Sequence, residues 1–306
     1  MSGAALARLF FGAAISTFAL LLGYDANRWV APVLAQARER VMYVSVIDSD
    51  RQQPVRGLGA DAFVVREDGA RREVLRATPA STPMPVGVVI DNSQAVEPAI
   101  ADLRKALPAF LKTIDGIGPI ALVTVADRPT ILQDYTTNSK LLVDAAGGLF
   151  HAPSSGATLL DGIADVAKGL ARREDDRTAI VVIATENTDF SNLQYQDVLR
   201  ELAESGASMH VLVLVSRRGS YATDAARNRA TVLDRGPRES GGVRMDVLTS
   251  MSFESRLRDL GEILKNQYRV VYARPESLIP PEKIEVSAAK PGLEARGAPA
   301  RGQDKK

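Results

Sequence analysis

Continuous apolar runs constrain this chain more than any other feature. Residues 86–90 (Val-Gly-Val-Val-Ile), 120–125, 179–185 and 209–215 are almost unbroken in hydrophobicity. None shows the polar–apolar alternation of a half-exposed strand, so each is expected to be buried on both faces. Segments with helical periodicity separate them, at 96–114, 139–147, 159–171 and 193–205. In the first of these, Ile100, Leu103, Leu107, Phe110 and Leu111 fall on one helical face. Strands alternating with helices imply right-handed crossovers and a mostly parallel sheet covered by helices on both sides. The expected fold class is therefore α/β, three-layered and Rossmann-like.

The flanks read differently. Residues 41–47 alternate like a strand, 63–65 and 73–76 are further strands, and Asp68-Gly69 between apolar stretches is a hairpin signal. Three prolines within 78–85 mark a linker. Beyond the alternating region, 216–241 reads as a solvated loop with a short surface helix. It is rich in arginine (Arg217, Arg218, Arg227, Arg229, Arg235, Arg238), and the sharper reading is a basic contact surface. A short strand at 246–248, an amphipathic helix at 256–267 and a final strand at 268–272 complete the main domain, and 284–287 alternates as one more β segment. The expected layout is a leader at 1–37, a β module at 41–80 and an α/β domain at 85–273. A β segment at 279–294 packs with the β module, and a disordered tail runs from 295 to 306.

At the N-terminus, Arg8 precedes an apolar run at 9–22, and Ala35-Gln36-Ala37 offers a small-residue cleavage pattern. The run at 3–23 is also about long enough to serve as an uncleaved membrane anchor. Either way the chain is expected to be exported, periplasmic or extracellular, or anchored facing out of the cytoplasm, with that anchor as its sole membrane contact. Thirty-eight Lys and Arg against 37 Asp and Glu give a net charge of +1, which carries no bias toward nucleic acid. The absence of cysteine excludes disulfides, thiolate metal sites and a cysteine nucleophile. Two histidines, His151 and His210, are too few and too far apart for a typical zinc site.

In open α/β sheets, ligands gather beyond the carboxyl ends of the strands. Three segments place polar residues there: Asp91-Asn92-Ser93-Gln94-Ala95, Gly156-Ala157-Thr158, and Thr185-Glu186-Asn187-Thr188-Asp189. Carboxylates and hydroxyls converging on one rim suit a hard cation. The plainer reading is that Asp91, Ser93 and Thr158 cap helices.

These segments resemble the von Willebrand factor type A family, whose metal-ion-dependent adhesion site has an Asp-x-Ser-x-Ser pattern, a distant Thr and a later Asp. Asp91, Ser93 and Thr158 match. Ala95 stands in place of the last Ser, and Glu186 in place of the later Asp, with Asp189 close by. Residues 61–69, 239–242, 267–268 and 290–293 resemble the flanking parts of a bacterial subfamily. The resemblance implies a type A domain with a degenerate site. Asp91, Ser93, Thr158, Glu186 and Asp189 would hold Mg²⁺ or Mn²⁺, or no metal at all, and Asn92, Gln94 and Asn187 would contact a protein partner. The implied function is non-catalytic adhesion or scaffolding at the rim. The alternative is a haloacid dehalogenase-like phosphatase with Asp91 as nucleophile, although the second Asp that mechanism requires is here Ser93. No Gly-x-Gly-x-x-Gly opens a helix and no Gly-x-Ser-x-Gly elbow is present.

Overall fold

A computed structural model describes residues 37–215, 223–275 and 279–301. The leader, Arg217, Arg218 and the last residues of the tail lie outside the described residues. The chain opens with four strands, β1 (Ala37–Asp48), β2 (Phe63–Glu67), β3 (Ala70–Arg72) and β4 (Val74–Pro79). Strand β5 (Val86–Ile90), helix α1 (Ile100–Thr113), strands β6 (Ile120–Val125) and β7 (Pro129–Thr136), and helices α2 (Ser139–Gly147) and α3 (Leu159–Arg173) follow. Next come β8 (Ala179–Thr185), α4 (Tyr195–Ser205), β9 (Ser208–Leu214), α5 (Asp224–Ser240), β10 (Arg244–Val247) and α6 (Phe253–Lys265). The C-terminal strands are β11 (Tyr268–Pro275), β12 (Ile284–Ala288) and β13 (Leu293–Pro299).

The apolar runs form one six-stranded sheet of order β10-β9-β8-β5-β6-β7. Every pairing in it is parallel except that of β7, which lies antiparallel on β6. Val86, Val88 and Ile90 pack with α1, α2 and α6 on one face. Val89, with Val182 and Val211 of the neighbouring strands, packs with α3, α4 and α5 on the other. This is the three-layer, mostly parallel arrangement that uninterrupted apolar strands require, since both sheet faces are buried. β5 is central, and the chain leaves it first toward β6 and later returns to its other side as β8. The crevice between β5 and β8 is therefore the topological switch point, where a ligand rim is expected.

Three expectations about the flanks need correcting. The strand expected to finish the α/β domain, β11, belongs instead to a second sheet of order β13-β1-β11-β4, where it is antiparallel to both β1 and β4. Tyr268, Val270 and Tyr272 alternate inward onto the β layers there, while Val271 is buried on the other face. The tail expected to be disordered begins as β13, whose Gly297 pairs with Val44. Its small residues allow that approach: a side chain at Gly297 would meet the Tyr43 carbonyl at 2.5 Å. Finally, 216–241 is not mainly loop, because α5 spans seventeen residues of it.

β2, β3 and β12 form a third, small sheet. Asp68 and Gly69, both at positive φ, make the two-residue turn joining β2 to β3. This sheet packs on the second one through Phe63 and Tyr268, whose rings meet edge to face at 5.3 Å. Arg177, just before β8, ties the β layers to the α/β domain. It donates to Gln267 Oε1 and to the carbonyls of Thr82 and Leu264, and it lies over the Tyr43 ring. Burial lowers its pKa to about 10, so it stays charged at neutral pH.

Two outcomes follow. Deleting residues 279–306 removes one of the two partners of each of β1 and β2, so amide exchange should accelerate across 41–48 and 63–67, and unchanged protection would contradict the pairing. His210, fully buried on β9, is held at about 3 by burial and, secondarily, by the charge of Arg296. The unfolded imidazole takes its proton near 6.5, so acid favours unfolding throughout the window between the two values. Stability should fall by at most about 1.4 kcal/mol per pH unit below 6.5. Urea titrations of His210→Gln should show a shallower slope from pH 6.5 to about 4.5.

Candidate functional site

Asp91 directly follows β5 and is 0% exposed. Its backbone N–H still donates to Ile183 of β8, so the sheet ladder carries the carboxylate into the switch point. Oδ1 accepts from the Ser93 amide at 3.0 Å, which closes a tight turn at the strand end. Oδ2 accepts from the Thr185 hydroxyl at 3.4 Å. A carboxylate this deep needs a counter-charge.

Arg229 supplies it. Its Nη2 donates to Asp91 Oδ2 at 2.8 Å and to the Thr185 carbonyl at 2.7 Å, and its Nη1 donates to Asp189 Oδ2 at 3.2 Å. The residue is 2% exposed. Asp189 lies in register with Ala157 through a parallel bridge. Its Oδ2 also takes the Leu159 amide at the start of α3, and its Oδ1 takes the Ser191 amide. The two buried carboxylates exceed the single guanidinium by one negative charge. Three amides and the N-terminal end of α3 offset that excess.

The expected rim residues are distributed around this network. Thr158 starts α3, but its hydroxyl donates to the Ala126 carbonyl at 3.0 Å and makes no cap bond. The capping expected of it is provided from outside the helix by Asp189. Ser93 is buried, and its hydroxyl has no hydrogen-bond partner. Glu186 is half-buried, its amide continuing the ladder to Leu214 of β9. Asn187 accepts from the Thr188 amide, Gln94 accepts from the Ser154 amide, and Asn92 donates to the Phe150 carbonyl. Ala95 is exposed.

This arrangement does not fit a divalent ion. Mg²⁺ and Mn²⁺ need carboxylate oxygens at close to 2 Å with water on the remaining positions. Here the carboxylates paired with Arg229 belong to Asp91 and Asp189, the two acids buried at the rim, and the guanidinium lies between them. A second cation would have to displace it against charge repulsion.

Arg229 was not singled out in the sequence because it sits in an arginine-rich stretch. The signal lies in its spacing. Ala226, Arg229, Val232, Leu233, Gly236 and Pro237 are the buried positions of α5, at helical intervals. Arg229 is the one basic residue on that face, whereas Arg227, Arg235 and Arg238 pair with exposed acids.

No family model and no curated protein matches the chain. Among solved structures it is similar to a von Willebrand factor type A protein from Catenulispora acidiphila, with 10% identity, 86% of this chain and 72% of that chain covered, and a TM-score of 0.49. It is also similar to an aerotolerance-related membrane protein from Bacteroides fragilis, with 14% identity, coverage of 58% and 98%, and a TM-score of 0.43. A third is the vWF domain of the type V pili tip protein Mfa5 from Porphyromonas gingivalis, with 12% identity, coverage of 60% and 95%, and a TM-score of 0.42.

Removing one partner of a buried ion network leaves uncompensated charge and costs about 3–5 kcal/mol. Arg229→Met should therefore lower unfolding free energy by that amount in urea. Arg235→Met, whose partner Glu239 is at the surface, should change it by less than about 1 kcal/mol. Equal losses would mean that Arg229 is not the counter-charge.

Proposed function

We propose that this chain is a non-catalytic protein-binding or scaffold module acting outside the cytoplasm, and that its partner docks on the carboxyl rim of the central sheet. The observation that carries this reading is a contrast at the rim. Asp91 and Asp189 are buried and held by Arg229 and backbone amides, whereas large apolar side chains at the same end of the sheet face solvent. Phe190, directly after Asp189, is 64% exposed. Its ring lies against the backbone of Gly156, where any side chain would meet it at 2.4 Å. Phe150, whose carbonyl holds Asn92, is equally exposed. Leu248 follows β10, and Met251 precedes α6; both are largely exposed. Large apolar residues left exposed beyond strand ends suit an interaction surface. Burying each would contribute on the order of 1–2 kcal/mol.

The phosphatase alternative is poorly supported. A nucleophilic Asp must present an oxygen to substrate. Asp91 is inaccessible, with Oδ1 on an amide and Oδ2 on Arg229. Export rests on the leader pattern at 1–37, and it places the partner in the envelope or beyond.

A photo-crosslinking residue at position 190, 248 or 251, expressed in the native host, should capture one common protein. The same residue at 131 on β7 or 141 on α2, also exposed and apolar, should not. Capture from 131 or 141 alone would move the binding surface to the sheet edge or helical face and sink the rim reading.

A further inference from the structure

We infer that Arg229 is a tethered cation that takes the place of a divalent ion, so that the rim is assembled at every metal concentration. The oxygens around the guanidinium are the kind that hard cations select. They are the carboxylates of Asp91 and Asp189 and the Thr185 carbonyl, with the Thr185 hydroxyl bonded to the same Asp91 oxygen. The buried hydroxyl of Ser93, which has no partner, stands two residues from Asp91. The guanidinium fits this surround imperfectly, because Arg229 Nε is buried without an acceptor. A cation of one positive charge and fixed planar shape thus occupies a place lined by oxygen.

The tether is firm. Arg229 comes from α5, which contributes none of the three rim segments. Val232 and Leu233 fix that helix in the core below the sheet. Gly236 fits against Met209 so closely that an added side-chain carbon would meet its sulfur at 2.5 Å. With the helix fixed, the guanidinium stays at high local concentration beside Asp91 and Asp189, and an ion from solution must compete with it for the same oxygens.

The test uses the full chain and reads thermal unfolding in EDTA, 5 mM MgCl₂ or 5 mM MnCl₂, concentrations of roughly the order at which weak oxygen sites fill. Wild-type midpoints should coincide. Arg229→Ala should unfold at lower temperature and recover by about 4 °C in Mn²⁺. Adding Asp91→Asn to that variant should abolish the recovery. Arg229→Lys keeps a cation in place and should show no metal response. Where Arg229→Ala does not fold, Arg229→Gln retains most of the bulk and carries the same comparison. Folded neutral variants that ignore Mn²⁺ would overturn the equivalence of guanidinium and ion. Mn²⁺ binding by the wild type that Asp91→Asn removes would overturn the inference outright.

Discussion

A carboxylate stands at the carboxyl end of a central strand buried along its whole length, and much of the surrounding structure answers that one constraint. Asp91 follows four residues of β5 that touch no solvent, and it extends their ladder to β8. Leaving such a charge uncompensated would cost about 3–5 kcal/mol, a large share of a typical domain's stability. The compensation comes from α5, from Thr185 at the end of β8 and from the Ser93 amide. Asp189 then joins through the same guanidinium and fixes the N-terminus of α3. One buried cation thus links the hydrogen-bonded strands β5 and β8 to α5 and, through Asp189, to α3.

The β layers solve a separate problem. Strand β1 needs a neighbour on each side, and it finds β11 on one and β13 on the other, both from the far end of the chain. A second charge network sits there, with Glu67 buried against Arg72, Arg274 and the Tyr272 hydroxyl. Tyr272 is consequently pushed well above its ordinary range, chiefly by burial and then by the Glu67 charge. The sheet holding β1 and β11 is tied to the α/β domain through Arg177, which uses carbonyls and an amide oxygen in place of a carboxylate.

The α/β core was legible from the sequence because fully buried parallel strands leave a signal that composition alone cannot mimic. The runs at 86–90, 120–125 and 179–185 are strands to the residue. Strand β11 was misassigned because a short apolar run looks the same in either sheet, and only pairing decides. Strand β13 was hidden by Gly297, Pro299 and its charged residues, which suit an edge against β1 but read as disorder. The rim was legible in part. Asp91, Ser93 and Asp189 are buried at the switch point, whereas the cation between the carboxylates comes from a helix some 140 residues away in sequence. No local pattern joins Asp91 to Arg229; only the crossing of α5 over the sheet does.

That long-range origin changes what the rim can do. An ion held from solution binds according to its concentration and lets go when chelated. A guanidinium is always present, and its donors point in fixed directions from a plane. Its position is therefore set jointly by how α5 packs, through Val232, Leu233 and Gly236, and by the rim oxygens it bonds. Any change that slides α5 along the sheet must move the donors away from Asp91 and Asp189 together. The loops bearing Ser93 and Phe190, and the start of α3, are anchored to those same carboxylates. The geometry of the exposed apolar surface is thus governed from inside the helical layer, and the solvent side of α5, with its paired arginines and acids, is free to vary without disturbing it.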